Sequence, residues 1–115
     1  MREGELDELC KKLGLSAIRA SHELRDKREY GLSSQLLRSA TGVGANVSES
    51  AYGQSRADFV SKMQIALKEC SETLWWLELL EEGGLFSDSE MFAIATSIKR
   101  ILIASIKAAT ANGKK

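Results

Sequence analysis

Apolar residues recur three and four positions apart along almost the whole chain, the spacing of one face of an α-helix. In the first stretch Leu6, Leu9, Cys10, Leu13, Ala17, Ile18, Ala20 and Leu24 form such a stripe. Leu32, Leu36, Ala40, Val43 and Val47 form the second. The third holds Phe59, Met63, Ala66, Leu67, Cys70, Leu74, Leu77 and Leu80 or Glu81, and the fourth Met91, Ile94, Ala95, Ile98, Ile101, Leu102, Ser105 and Ala108. Strict apolar–polar alternation and hairpin turn signals are missing, so strands are not expected.

The chain contains no proline, which leaves glycine and serine to mark the ends of segments. Arg25-Asp26-Lys27-Arg28-Glu29 is a charged connector and Tyr52-Gly53-Gln54 a second break. Ser55-Arg56-Ala57-Asp58 reads as a capping box with aspartate in the usual glutamate position, and Ser87-Asp88-Ser89-Glu90 as a full one. Leu85 or Phe86 is placed to staple back onto the first turn that follows. Gly83-Gly84 suits a left-handed stop. Gly14 interrupts the first stripe and is expected to fray or kink that helix.

These signals predict helices over about 5–24, 32–51, 56–82 and 88–111. Four amphipathic rods of roughly 30 Å with short connectors are satisfied by an all-α, antiparallel up-down-up-down four-helix bundle. A chain of 115 residues is enough for one such domain and too short for two. The second segment is rich in small residues, Ser39, Ala40, Thr41, Gly42, Gly44, Ala45 and Ser48. They let a neighbouring backbone approach closely, so this segment is expected to be the central, most tightly packed helix of the bundle.

One stripe per helix does not use up the apolar inventory. Leu37, Val60, Ile65, Trp75, Trp76, Leu79, Phe92 and Ile103 lie off the seams or at their edges. Because large apolar patches are uncommon on monomers and tryptophan is enriched where proteins meet, Ile65, Trp75, Trp76 and Leu79 are expected at a homo-oligomer interface. The competing reading is that both indoles cap a monomeric core.

The polar residues of the second and third segments also need partners. Gln35, Arg38, Asn46, Glu49, Asp58, Glu69 and Glu72 are expected to form a structural hydrogen-bonded network, with a ligand or RNA contact surface as the alternative.

Sixteen Lys and Arg balance sixteen Asp and Glu, so the strong positive field of an indiscriminate nucleic-acid binder is absent. The charge is uneven, however: residues 84–115 carry five basic and two acidic side chains. Lys99, Arg100, Lys107, Lys114 and Lys115 are therefore candidate nucleic-acid contacts, and a solvated helix face is the plainer reading. No apolar run approaches the roughly 20 residues of a membrane span, and Met1-Arg2-Glu3-Gly4-Glu5 does not open a secretory signal. A cytoplasmic protein is expected. Cys10 and Cys70 fall on apolar stripes, where a thiol behaves as a small hydrophobe. His22 sits beside Glu23 on a wet face, and no phosphate loop, HExxH, CxxC or GxSxG motif is present. No enzyme, cofactor, metal or small-molecule substrate is expected.

The second and third segments also carry a family pattern. Residues 30–40 (YGLSSQLLRSA), then Val43, Asn46-Val47-Ser48-Glu49, Tyr52-Gly53, Ser55, Asp58-Phe59, Ile65 to Glu72 and Leu77 resemble the bacterial four-helix-bundle proteins encoded in intervening sequences of 23S ribosomal RNA genes. The resemblance covers residues 28–82, with a looser helical continuation to about 108. It implies a ring-like homopentamer without established catalytic activity. That family is similar to the accessory variability proteins of diversity-generating retroelements, which bind a reverse transcriptase and its template RNA. The present chain departs from them in its neutral charge and in lacking a proline near Val43-Gly44.

Overall fold

The periodic stripes become four helices: α1 (Arg2–Asp26), α2 (Tyr30–Ser50), α3 (Arg56–Glu82) and α4 (Ser89–Gly113). Their ends lie within about three residues of the boundaries the caps and breaks predict. The computed structural model describes residues 2–113, with side chains described from Gly4 to Ala111. Lys114 and Lys115 lie outside the described residues. Each helix packs against two neighbours, α1 on α2, α2 on α3, α3 on α4 and α4 back on α1. The result is a rod of 52 × 21 × 21 Å with a square section. No helix is central in the section, contrary to the expectation for α2, but α2 does pack the most extensively of the four, against α1 and α3. What the small residues of α2 do provide is close approach: a Cβ on Gly44 would stand 3.3 Å from that of Cys10 in α1.

The core is the set of stripes folded together. Leu13, Leu24, Leu36, Val43, Leu80, Met91, Ile98 and Leu102 are fully enclosed. Two assignments fail. Ile18 was expected inward but points to solvent, because adjacent Ala17 takes the inward position. Ala108, too, is exposed, because it lies in the last turns of α4, beyond Leu102, the last enclosed residue of that helix. Leu37, Trp76 and Phe92, off the primary seams, pack partly against the core.

The connectors follow local chemistry. Ser55 caps α3, its Oγ accepting from the backbone of Asp58 at 3.1 Å, while Asp58 Oδ2 accepts from the amide of Gln54 at 3.2 Å. At α4 the cap is Asp88 rather than Ser87. Its Oδ1 accepts from the amide of Met91 at 3.0 Å, and this carboxylate also complements the positive end of the helix. Gly84 supplies the left-handed residue after α3, at φ 72°. Its counterpart after α1 is Arg28, at φ 64°, where the amide of Glu29 donates back to the carbonyl of Leu24 at 2.8 Å. Gly14 neither ends nor interrupts α1; the tertiary contacts of Leu13 and Ala17 on either side outweigh its weak propensity.

Candidate functional site

The polar residues singled out on α2 and α3 fall into four separate places. Gln35, Arg38, Glu69 and Glu72 come together across the α2–α3 seam. Arg38 donates to Gln35 Oε1 at 3.1 Å and to Glu69 Oε1 at 3.2 Å, and pairs with Glu72. Trp76 joins them, its indole N–H donating to Glu72 Oε2 at 3.2 Å. Gly42 leaves room for this cluster, since a Cβ there would meet the Glu69 carboxyl carbon at 3.4 Å. Asn46 instead donates to the carbonyl of Gly42 in its own helix, at 2.8 Å. Glu49 pairs with Lys62 at 2.8 Å near the far end of the seam, and Asp58 serves the α3 cap.

Deeper in the same seam lies a pair that the apolar stripes did not reveal. Thr73 and Ser39 are fully buried, and their hydroxyls stand 2.9 Å apart. Thr73 donates across the seam to Ser39, which in turn donates toward the Leu36 carbonyl at 3.3 Å; the Glu69 carbonyl, 2.8 Å from Thr73 Oγ1, is the alternative acceptor for the Thr73 proton. No buried side-chain N or O among the described residues lacks a partner. The Thr73–Ser39 contact thus links α2 to α3 inside the core.

Both thiols are enclosed and free. Burial pushes Cys10 up to about 12, with Cys70 and Asp7 adding to the effect. Burial also pushes Cys70 up to about 11, against the opposing charge of Lys99. Cys70 lies with its Sγ 3.2 Å from the carbonyl of Ala95. Such thiols are poor nucleophiles. His22 is exposed, and the described residues contain no group of three or more His, Cys, Asp or Glu side chains that could hold a metal ion.

What the bundle leaves open is apolar surface. On α3, Trp75 is 57% exposed, Leu79 43% and Ile65 39%. They follow one outward strip, with Trp76 half-buried at its α2 edge. A second apolar surface lies outside the inward stripes. Between α1 and α2 runs a groove of about 740 Å³, bordered by Leu15 at 50% exposure, Ile18 at 46% and Tyr52 at 84%. Leu15 belongs to no inward stripe, and that off-seam position was the available signal. On α4, Arg100 and Lys107 are exposed and Lys99 half-buried; none of the three is in an ion pair among the described residues.

The order of four helices, their polar seam and their caps can now be set against known proteins. A family model described as 23S rRNA-intervening sequence protein matches residues 5–105. The chain belongs to that family. The match reaches beyond α2 and α3 to take in most of α1 and α4. Among solved structures, the chain is similar to a protein with unknown function from the S23 ribosomal protein family of Bacteroides thetaiotaomicron VPI-5482. The identity is 33% and the TM-score 0.87, covering 93% of this chain and 99% of that one. No curated protein matches the chain. In this 23S rRNA-intervening sequence family member no helix among the described residues is long and apolar enough to cross a membrane.

Proposed function

We propose that this protein is a non-enzymatic assembly module whose copies bury the outward strip of α3 against one another, forming a homo-oligomeric scaffold. The observation that carries this reading is the exposure of Trp75, Leu79 and Ile65 on one helix face. Water gains when such a strip is covered, and a tryptophan more than half exposed is a typical anchor of a protein–protein contact. Trp76 contributes from the edge while its indole N–H stays satisfied by Glu72. The resemblance drawn from the sequence favours five copies, a particle of about 63 kDa for a chain of 12.6 kDa. Light scattering behind a sizing column tests it: the wild type is expected as an oligomer, and Trp75→Glu with Leu79→Glu as a helical monomer. A wild-type monomer at micromolar concentration refutes the reading.

The unpaired basic face of α4 favours a second role for the same scaffold, contact with RNA. Glu90 is the single acidic residue of α4, against Lys99, Arg100 and Lys107. Repeated round an oligomer, these charges would give retention that falls steeply with salt. Lys99→Glu with Arg100→Glu is expected to abolish RNA retention at low salt without loss of helicity. Absence of retention by the wild type removes this role and leaves the assembly intact.

A further inference from the structure

We propose that the face shared by α3 and α4 holds the phosphate backbone of double-stranded RNA, and that Arg56 of α3 completes the contact with Lys99, Arg100 and Lys107 of α4. The inference rests on the RNA role above and adds to it the form of the RNA and a residue on a second helix.

Two contacts fix how these helices run past each other. Cys70 Sγ lies 3.2 Å from the Ala95 carbonyl, and Arg56 Nη1 lies 3.4 Å from the Ala109 carbonyl. Both give the same antiparallel register, in which Lys107 is level with Asp58 and so about 3 Å along the axis from Arg56. Lys99 and Arg100 stand about two turns further along α4, level with Ala66 and Ile65. Lys99 follows Ala95 by one turn and leans toward α3. Its charge is felt at Cys70, where it opposes the effect of burial. The four cations form a lower pair and an upper pair about 12 Å apart across adjoining helices.

Their charge is left uncompensated. Among the described residues none of the four is in an ion pair, and Glu90 is the single acid of α4. On α3, Asp58 is turned to the Gln54 amide, Glu69 and Glu72 are turned to Arg38 of α2, and Glu78 lies about 33 Å along the helix from Arg56. Lys68 stands with Ile65 and Trp75 on the outward strip and is no part of this face. On the other flank Glu5, Asp7 and Glu8 of α1 are set against Lys11 and Lys12, so the excess positive charge lies on the α3 side of α4. Arg56 is exposed and spends one of its N–H donors on the Ala109 carbonyl. That bond holds the guanidinium in place and leaves donors for a bidentate grip on a phosphate.

The surroundings of the four cations select the form of RNA. Phe59 and Phe92 pack against the core, and Trp75 belongs to the strip, so no exposed aromatic ring is at hand among the described residues to stack an unpaired base. A single strand held by backbone contacts alone loses its freedom with no stacking to offset the loss, whereas a duplex presents its phosphates already ordered. Contacts of this kind follow charge and shape and carry no base sequence.

The test uses the full chain and two fluorescent RNAs of equal length, a hairpin of about 16 base pairs and an unpaired oligouridylate, with anisotropy read between about 50 and about 200 mM salt. The hairpin is expected to bind at least about tenfold tighter at the lowest salt. Arg56→Gln, which keeps a donor for the Ala109 carbonyl, and Lys107→Gln are each expected to reduce the slope of log K against log salt by about 0.9 for each copy in contact, with helicity and oligomer mass unchanged. A wild-type slope in Arg56→Gln would overturn this inference, as would equal or tighter binding of the oligouridylate, and both results leave the α4 role standing. Failure of the wild type to bind either RNA would overturn both, and retention on phosphatidylserine vesicles in that case would assign the face to a membrane surface instead.

Discussion

The enclosure of the two thiols can be probed without altering the sequence. An ordinary thiol with its pKa at 9.0 is about one-tenth thiolate at pH 8, whereas Cys10, held at about 12, is about one part in ten thousand. Cys70, at about 11, is about one part in a thousand. Since the thiolate is the reacting species, ionisation alone slows alkylation of the native protein by about a thousandfold at Cys10 and about a hundredfold at Cys70. Exclusion of the reagent slows it further. The assay is iodoacetamide labelling at pH 8 followed by peptide mass spectrometry, native and in guanidinium, with the unfolded chain as the reference. Labelling of either native thiol within tenfold of its unfolded rate would refute the packing of α1 and α3 described above. The same shift sets a pH trend. The unfolded thiols ionise first, so their contribution to stability is complete below pH 9 and is lost between pH 9 and about 12. The variant with both cysteines replaced by alanine is expected to show a flatter decline over that window.

Two further outcomes follow from the connectors. Arg28→Gly relieves a left-handed residue at φ 64° and is expected to stabilise by about 1 kcal/mol, read as a higher denaturation midpoint at matched protein concentration. Asp88→Ala removes the α4 cap and is expected to cost about 1 kcal/mol, while Ser87→Ala is expected to be close to neutral, a contrast that fails if Ser87 is the cap after all.

The bundle was legible because helical periodicity and cap residues are local signals that agree with one another over four segments. Adjacent residues are where periodicity loses its power. Ala17 and Ile18 both fit the α1 stripe, and size alone favours Ile18 inward. The structure buries Ala17 and exposes Ile18, a choice made by the neighbouring helices and invisible in α1 itself. The same holds for the polar residues. Arg38 lies more than thirty positions from Glu69 and Glu72, and only the α2–α3 register brings it to them. Asn46 and Asp58 found partners within four residues, the local competition open to any short polar side chain. The groove beside Leu15 needed two helices to exist, so no single stripe could disclose it. The family pattern, by contrast, was readable in α2 and α3 because it includes polar positions as well as apolar ones.

The most direct measurement is the mass of the untagged protein by sedimentation equilibrium from about 1 to about 100 µM, taken together with acrylamide quenching of its two tryptophans. Self-sheltering of the α3 strip predicts a single multiple of 12.6 kDa across that range and indole emission that becomes more quenchable once Leu79→Glu breaks the assembly. A 12.6 kDa particle with Trp75 open to quencher at every concentration would contradict it.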